Sequence, residues 1–331
     1  MKAAVYRRYG PPEVLQLEDM DIPQPADDEV QIQIKASSVS SGDWHLRKAD
    51  PFAARFFNGL FKPKLTILGS ELAGVITATG ANVKRFKVGD EVFGATGLSL
   101  GANAEYLCLS EDAPIAIKPG NISFREAAAI PFGAVTAKHF LQKQANLAPG
   151  QELLVYGASG AVGIYAVQLG KILGARVTAV CSGSNADLVT RAGADEVIDY
   201  TKEGFPAVNQ HQEGQPWHVI MDTVGKTDFN QIKPCLTPQG QYLAIAGGLK
   251  EMRQAFINAI ARLLKWQKKR LVMDIAIEQQ ADIEWFAELI LQGRLKAVID
   301  SEYSLENIAA AHHRAESGRK TGTLILTMPG T

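Results

Sequence analysis

The sequence predicts an α/β protein: a doubly wound parallel sheet of six strands joined to a β-rich domain. Three observations carry this. The N-terminal part holds short apolar runs of alternating period, whereas from residue 125 onward uniformly apolar runs alternate with helix-length segments. The first of those later runs opens into "VYGASGAVG", with Gly157, Gly160 and Gly163 three residues apart. A chain of 331 residues, 46% hydrophobic and 21% charged, is long enough for two packed domains.

In "EVQIQIKAS", Val30, Ile32 and Ile34 alternate with polar neighbours, the period-two pattern of a half-buried strand. The runs "AGVITATG", "DEVFGATG" and "AEYLCLS" follow, separated by the Gly, Pro, Asn and Asp that turns require. Ser123 and Glu126 then form a capping-box pattern, so a helix and a second domain start near residue 125. The runs "ELLVYG", "ARVTAVC", "DEVIDY", "WHVIMDTVG", "GQYLAIAGG" and "LVMDIAI" are too uniformly apolar for a sheet with a wet face. They read as parallel strands covered on both sides. The end of the chain reads as strand, helix capped at Ser304, and strand, with "GTLILTM" returning to the first sheet. The expected division is 1–124 completed by 279–331, and 125–278.

A net charge of -1 offers no basic excess for nucleic acid or an anionic membrane. No run of 18 apolar residues suggests a span, and the N-terminus lacks a signal-peptide core. Cys108, Cys181 and Cys235 are scattered without a C-x-x-C spacing, which fits a reducing cytosol rather than a disulfide framework. The basic run "KWQKKR" reads as a solvated helix end.

The glycine stretch carries the first chemistry. Read from Ala158 it is A-x-G-x-x-G between a strand and a helix. Gly160 lets a pyrophosphate approach the backbone, Gly163 lets helix and strand pack closely, and Ser159, Ala161 and Val162 complete the turn. The helix N-terminus supplies N–H donors to the anion. This is the Rossmann dinucleotide signature. After the second strand, "CSGSN" places Ser182, Ser184 and Asn185 where an acid would select NAD, and Tyr200 ends the third strand. These neutral donors favour NADP(H), with any charge pairing left to Arg191 or Lys202.

Over nearly its whole length the chain resembles the medium-chain dehydrogenase/reductase superfamily, in its zinc-free quinone oxidoreductase (zeta-crystallin-like) branch. The resemblance rests on "LGSELAGVI", "VKRFKVGDEVFG", "AAAIPFGAVTA", "GASGAVG", "GADEVIDY" and "IMDTVG", in this order. It implies a GroES-like domain at both chain ends, a Rossmann domain between, and a cleft for the nicotinamide. It also implies Thr136 near the nicotinamide ribose, Val224, Ala246 and Gly247 along the cofactor channel, and Lys320 near the cofactor. Relatives pair as dimers through an edge strand, which here would be "LVMDIAI".

Departures from zinc-bearing relatives shape the expected reaction. Ser40 stands at the cysteine position and Ser70 at the histidine position, so Glu71 alone cannot hold a catalytic zinc. The expectation is hydride transfer from NADPH to a quinone or an α,β-unsaturated carbonyl, without a metal. Ser40, Ser41 and His45 are the candidate hydrogen-bond or proton donors, imidazole being a group that unperturbed titrates near neutrality. The segment "DPFAARFFNGLF" reads either as an aromatic lid or as a buried helix. Two other readings stand beside this one: a catalytically weak NADPH-binding sensor, and a zinc-dependent alcohol dehydrogenase. No nucleic-acid or membrane partner is expected, and the chain is read as a cytoplasmic homodimer.

Overall fold

Two strand periodicities become two large sheets, beside a two-stranded antiparallel pair of the first and second strands. The computed structural model describes residues 1–203, 216–247, 249–263 and 268–329. In chain order the elements are β1 (Lys2–Val5), β2 (Gln16–Asp19), β3 (Glu29–Val39), α1 (Ser41–Lys48), α2 (Ala54–Asn58), β4 (Glu71–Thr79), β5 (Glu91–Ala95), β6 (Tyr106–Ser110), β7 (Ile115–Ile117), α3 (Phe124–Ala128) and α4 (Pro131–Lys138). There follow β8 (Glu152–Tyr156), α5 (Gly163–Ile172), β9 (Arg176–Cys181), α6 (Ala186–Arg191), β10 (Glu196–Asp199), α7 (Tyr200–Glu203), β11 (Trp217–Asp222), α8 (Phe229–Ile232) and β12 (Leu236–Ala244). The last are α9 (Leu249–Leu263), β13 (Arg270–Val272), α10 (Gln280–Leu291), β14 (Ile299–Ser304), α11 (Ile308–Glu316) and β15 (Thr323–Thr327). The chain forms two compact units, Met1–Val135 with Ile277–Thr331, and Thr136–Ala276.

The first unit is built on a sheet in the order β14-β15-β3-β4-β5-β7, with β6 also on β3. All pairings are antiparallel except β14 with β15. The alternation read along β3 is present: Val30, Ile32 and Ile34 enter one core with Leu72, Ile76, Val92, Leu324 and Leu326. "GTLILTM" does extend this sheet, Leu324 pairing with Val39 and Thr327 with Ala36. The Ser123–Glu126 capping box is formed, and its helix α3 packs on β3, β4 and β5. Ser304 caps only a short 3-10 turn before α11, its hydroxyl accepting from Asn307.

The second unit holds six parallel strands in the order β10-β9-β8-β11-β12-β13. Counted within the unit this is 3-2-1-4-5-6, the Rossmann order. Leu154, Val180, Ile220 and Tyr242 form its core with Trp217. The expected strand "LVMDIAI" is shorter than its sequence suggests: β13 ends at Val272, and Ile275 and Ile277 beyond it are exposed. Among the described residues no helix is long and apolar enough to cross a membrane.

Candidate functional site

The carboxyl ends of the parallel strands gather the residues singled out for the cofactor. Strand β8 runs into Gly157, whose φ of +77° is a left-handed value that glycine tolerates. A Cβ on Gly157 would lie 2.5 Å from Val224 Cγ2 and 2.6 Å from Thr223 Oγ1. Gly157 therefore makes the tight turn, and Ala158, fully buried, sits one residue after it. A Cβ on Gly163 would lie 2.2 Å from the Gly157 carbonyl oxygen, so α5 starts against the turn itself. Gly160 is different, since its Cβ would meet only that oxygen, at 3.3 Å. The N–H groups of Ala161, Val162 and Gly163 have no acceptor among the described residues. A helix start leaves such donors for an anion, and the bare backbone at Gly160 leaves it room. The cradle fits a pyrophosphate.

Neighbouring loops complete this end of the sheet. Asn185 Nδ2 donates to Ser159 Oγ at 3.0 Å, tying the loop after β9 to the glycine turn. Ser182 and Ser184 hydroxyls lie 3.0 Å apart. Buried Asp222 accepts from the Val224 and Gly225 amides at 2.8 and 2.9 Å and from Tyr242 at 2.9 Å, which fixes the loop after β11. A Cβ on Gly225 would meet the Ala246 carbonyl at 2.5 Å, so Val224, Ala246 and Gly247 are adjacent. Thr136 is nearly buried on α4.

One acid was missed. The register of β10 on β9 sets Asp199 beside Cys181, and its Oδ2 lies 2.3 Å from where a Gly183 Cβ would stand. Bonds from Thr201, and then the Gly183 amide, hold Asp199 below the usual carboxylate range. Lys202 Nζ lies 3.7 Å away, while Tyr200 beside it is exposed. The "CSGSN" loop is neutral in sequence but rests on a carboxylate from the next strand.

In the first unit a second polar cluster surrounds the "GSE" segment. Glu71 is buried; its Oε1 accepts from the Phe132 amide at 2.6 Å and its Oε2 from the Ser38 hydroxyl. Burial pushes the Glu71 carboxyl up to about 7, against the opposing effect of these bonds. Asp43, also buried, accepts from Ser40 N and Oγ at 2.7 Å and from Gly69 N at 2.9 Å. Burial likewise raises its carboxyl. Lys320 faces this pair: burial lowers its ammonium, and Glu71, Asp300 and Asp43 oppose that. It makes no hydrogen bond among the described residues.

This arrangement sorts the candidate donors. Ser40 is the N-cap of α1, and its hydroxyl is spent on Asp43. Ser41 Oγ carries no hydrogen bond among the described residues. His45 stacks on Trp44 at 3.6 Å, and its Nδ1 donates to the Asp50 carbonyl. Phe52, Phe56, Phe57 and Phe61 are exposed, so their segment is not a buried helix. His139 pairs with Asp274 at 2.8 Å, and His312 accepts from buried Arg47. For a zinc ion the donor set does not fit: both carboxylates already accept from N–H and O–H groups, and Ser40 and Ser70 supply only hydroxyls.

Comparison with known proteins agrees with this construction. Residues 26–120 match the alcohol dehydrogenase GroES-like domain, and 192–326 match the family described as zinc-binding dehydrogenase. A chloroplastic quinone oxidoreductase of Triphysaria versicolor is 32% identical over 98% of both chains. A quinone oxidoreductase of Pseudomonas aeruginosa is 30% identical, covering 98% of this chain and 99% of its own. Among solved structures, the quinone oxidoreductase of Coxiella burnetii superposes with a TM-score of 0.85 at 26% identity over 99% of both chains. That of Escherichia coli, solved with NADPH, gives 0.83 at 25% identity, over 99% of this chain and 100% of the other. The chain belongs to the medium-chain dehydrogenase/reductase superfamily, whose members are nicotinamide-dependent oxidoreductases, and its relatives lie in the quinone oxidoreductase branch.

Proposed function

We propose that the protein is an NADPH-dependent reductase of quinones or α,β-unsaturated carbonyls that works without a metal. The observation that carries this is the anion cradle at Gly160–Gly163 in the second unit, and the first unit adds a polar cluster whose carboxylates already accept from N–H and O–H donors. The bound nicotinamide supplies the hydride. This chain's residues bind the pyrophosphate through the first-turn amides of α5 and order the ribose end through Ser159, Ser182 and Asn185. Preference for NADPH rests on the hydroxyl and amide donors of that loop, with the Asp199 charge countered by Lys202.

Without a Lewis acid, reduction of a conjugated acceptor needs a donor for the negative charge that develops on its oxygen. His45 meets the requirement best. Its Nδ1–H donates to the Asp50 carbonyl, so Nε2 is the ring nitrogen left for the acceptor, and Ser41, four residues earlier on α1, adds a hydroxyl that makes no hydrogen bond among the described residues. Ser40 acts through Asp43, as a positioning residue for α1. The three cysteines, none in a disulfide, suit the cytosol, and the reading includes a homodimer joined at the β13 edge.

The test is NADPH and NADH oxidation against a panel of simple quinones and enones, with metal content measured on the same preparation. Turnover with NADPH by metal-free protein is expected. Tight NADPH binding with no turnover across the panel sinks the reductase reading, and activity that tracks stoichiometric zinc sinks the metal-free one.

A further inference from the structure

Helix α9 is mounted inside out. Two of its polar residues face the protein: Asn258 is buried, accepts from the Leu271 amide at 3.0 Å and donates to the Lys269 carbonyl at 3.1 Å, which anchors the helix at the start of β13. One turn earlier, Gln254 donates to Asp228 at 3.2 Å. Its apolar residues face away: Met252, Phe256, Ile260 and Leu263 fall on one side, with Ile257 at the edge, and all are exposed, Phe256 to 67% and Leu263 to 82%. A helix that contributes to a core shows the reverse arrangement. A contiguous apolar face of this kind marks a docking surface.

Charge indicates what it docks on. The sequence from Leu249 to Lys268 contains five cations, Lys250, Arg253, Arg262, Lys265 and Lys268, against the single acid Glu251, while Lys269 and Arg270 beyond it are half-buried and donate to the Lys233 and Gln144 carbonyls. The whole chain has a net charge of -1, so this is a local concentration. Arg253 is exposed on α9 and Lys268 is exposed beyond it, while 264–267 lie outside the described residues. A second copy of the chain seated on this face would bring like charges together across a two-fold axis, which is unfavourable. Aromatic and aliphatic side chains flanked by Lys and Arg match an anionic lipid surface, where the apolar face enters the headgroup boundary and the cations meet phosphates. We propose that α9 docks the second unit onto anionic membranes as a peripheral, non-spanning contact. The absence of net charge and of a long apolar run, which led to an expectation of no membrane partner, bears on neither feature.

The experiment is co-sedimentation of the full chain with phosphatidylcholine vesicles, with and without phosphatidylglycerol. Two variants accompany it: F256E/I260E removes the stripe, and R253E/K268E reverses two exposed charges. Both change only exposed side chains, and an unchanged melting temperature with retained NADPH binding confirms that each is folded. Binding is expected only with phosphatidylglycerol, to fall as salt is raised, and to drop about five-fold or more per cation removed. It is expected to be lost in F256E/I260E. Three results overturn the proposal: no binding to either vesicle, equal binding to both, or a wild-type dimer by light scattering that F256E/I260E converts to monomer. The last would assign the face to a second copy.

Discussion

Replacing Glu71 with glutamine separates the electrostatic cost of the first unit's polar cluster from its packing. Burial raises the Glu71 carboxyl to about 7, whereas a carboxyl in the unfolded chain stays near 4.5. Between these values the folded state binds the proton more tightly, so its stabilising effect is complete below about 4.5 and is lost as pH rises through about 7. At about 1.4 kcal/mol per pH unit the difference makes ~3 kcal/mol. Glu71 is 1% exposed, so solvent does not screen this away. Glutamine keeps an acceptor for the Phe132 amide and a polar partner for Ser38 but cannot ionise. Thermal melts from pH 5 to pH 8 should then show the variant gaining on the wild type by roughly 6–12 °C toward the alkaline end. A difference between the two melting curves that does not change with pH refutes the reasoning, because it would place the Glu71 carboxyl at an ordinary value in the fold.

Other outcomes follow from the same contacts. His312 is buried, with burial first and Arg47 second lowering it to about 3, so stability should be complete above the ordinary imidazole value of 6.5 and fall as pH drops below it. H312Q, which keeps an acceptor for Arg47, should lose less stability than the wild type in urea titrations between pH 6.5 and 4. G163A drives a Cβ into the Gly157 carbonyl at 2.2 Å and should lower the melting temperature, whereas G160A, at 3.3 Å, should weaken NADPH binding in calorimetry with little change in stability. D199N removes the carboxylate under the Gly183 loop and should shift the NADPH-to-NADH ratio of kcat/KM severalfold toward NADPH. H45Q should lower kcat by about 10², with KM for NADPH unchanged, in steady-state assays of quinone reduction.

What the sequence made legible follows from what is local. Uniform apolar runs announced the parallel sheet because strands covered on both faces need no polar period. The glycine turn was equally visible, although Gly157 rather than Ala158 takes the left-handed corner. Asp199 escaped notice because it lies well beyond the loop it supports and reaches it only through the register of β10 on β9. Aligning the ends of the predicted strands was the signal that would have found it. Ser40 looked like a free donor, yet Ser40 and Asp43 have the spacing of a capping box, the pattern read at Ser123 but not here. The period of α9 was present too, but periodicity alone does not say which face turns inward; Gln254 and Asn258 decide that through tertiary bonds.

The seating of β15 between β14 and β3 has a consequence for synthesis of the chain. One edge of β3, from Ala36 to Val39, pairs with Leu324 to Thr327, which a ribosome adds long after β3, while Ala36 and Ser37 also pair with β4 on the other edge. Buried Arg47 likewise closes on His312 and Glu316 of α11. The first unit to begin emerging is therefore completed only when β15 appears, while the Rossmann unit has every strand it needs before that. During translation the unpaired edge of β3 must be shielded from other chains, and a nascent protein stalled before residue 323 should carry a folded cofactor domain beside an unfinished sheet.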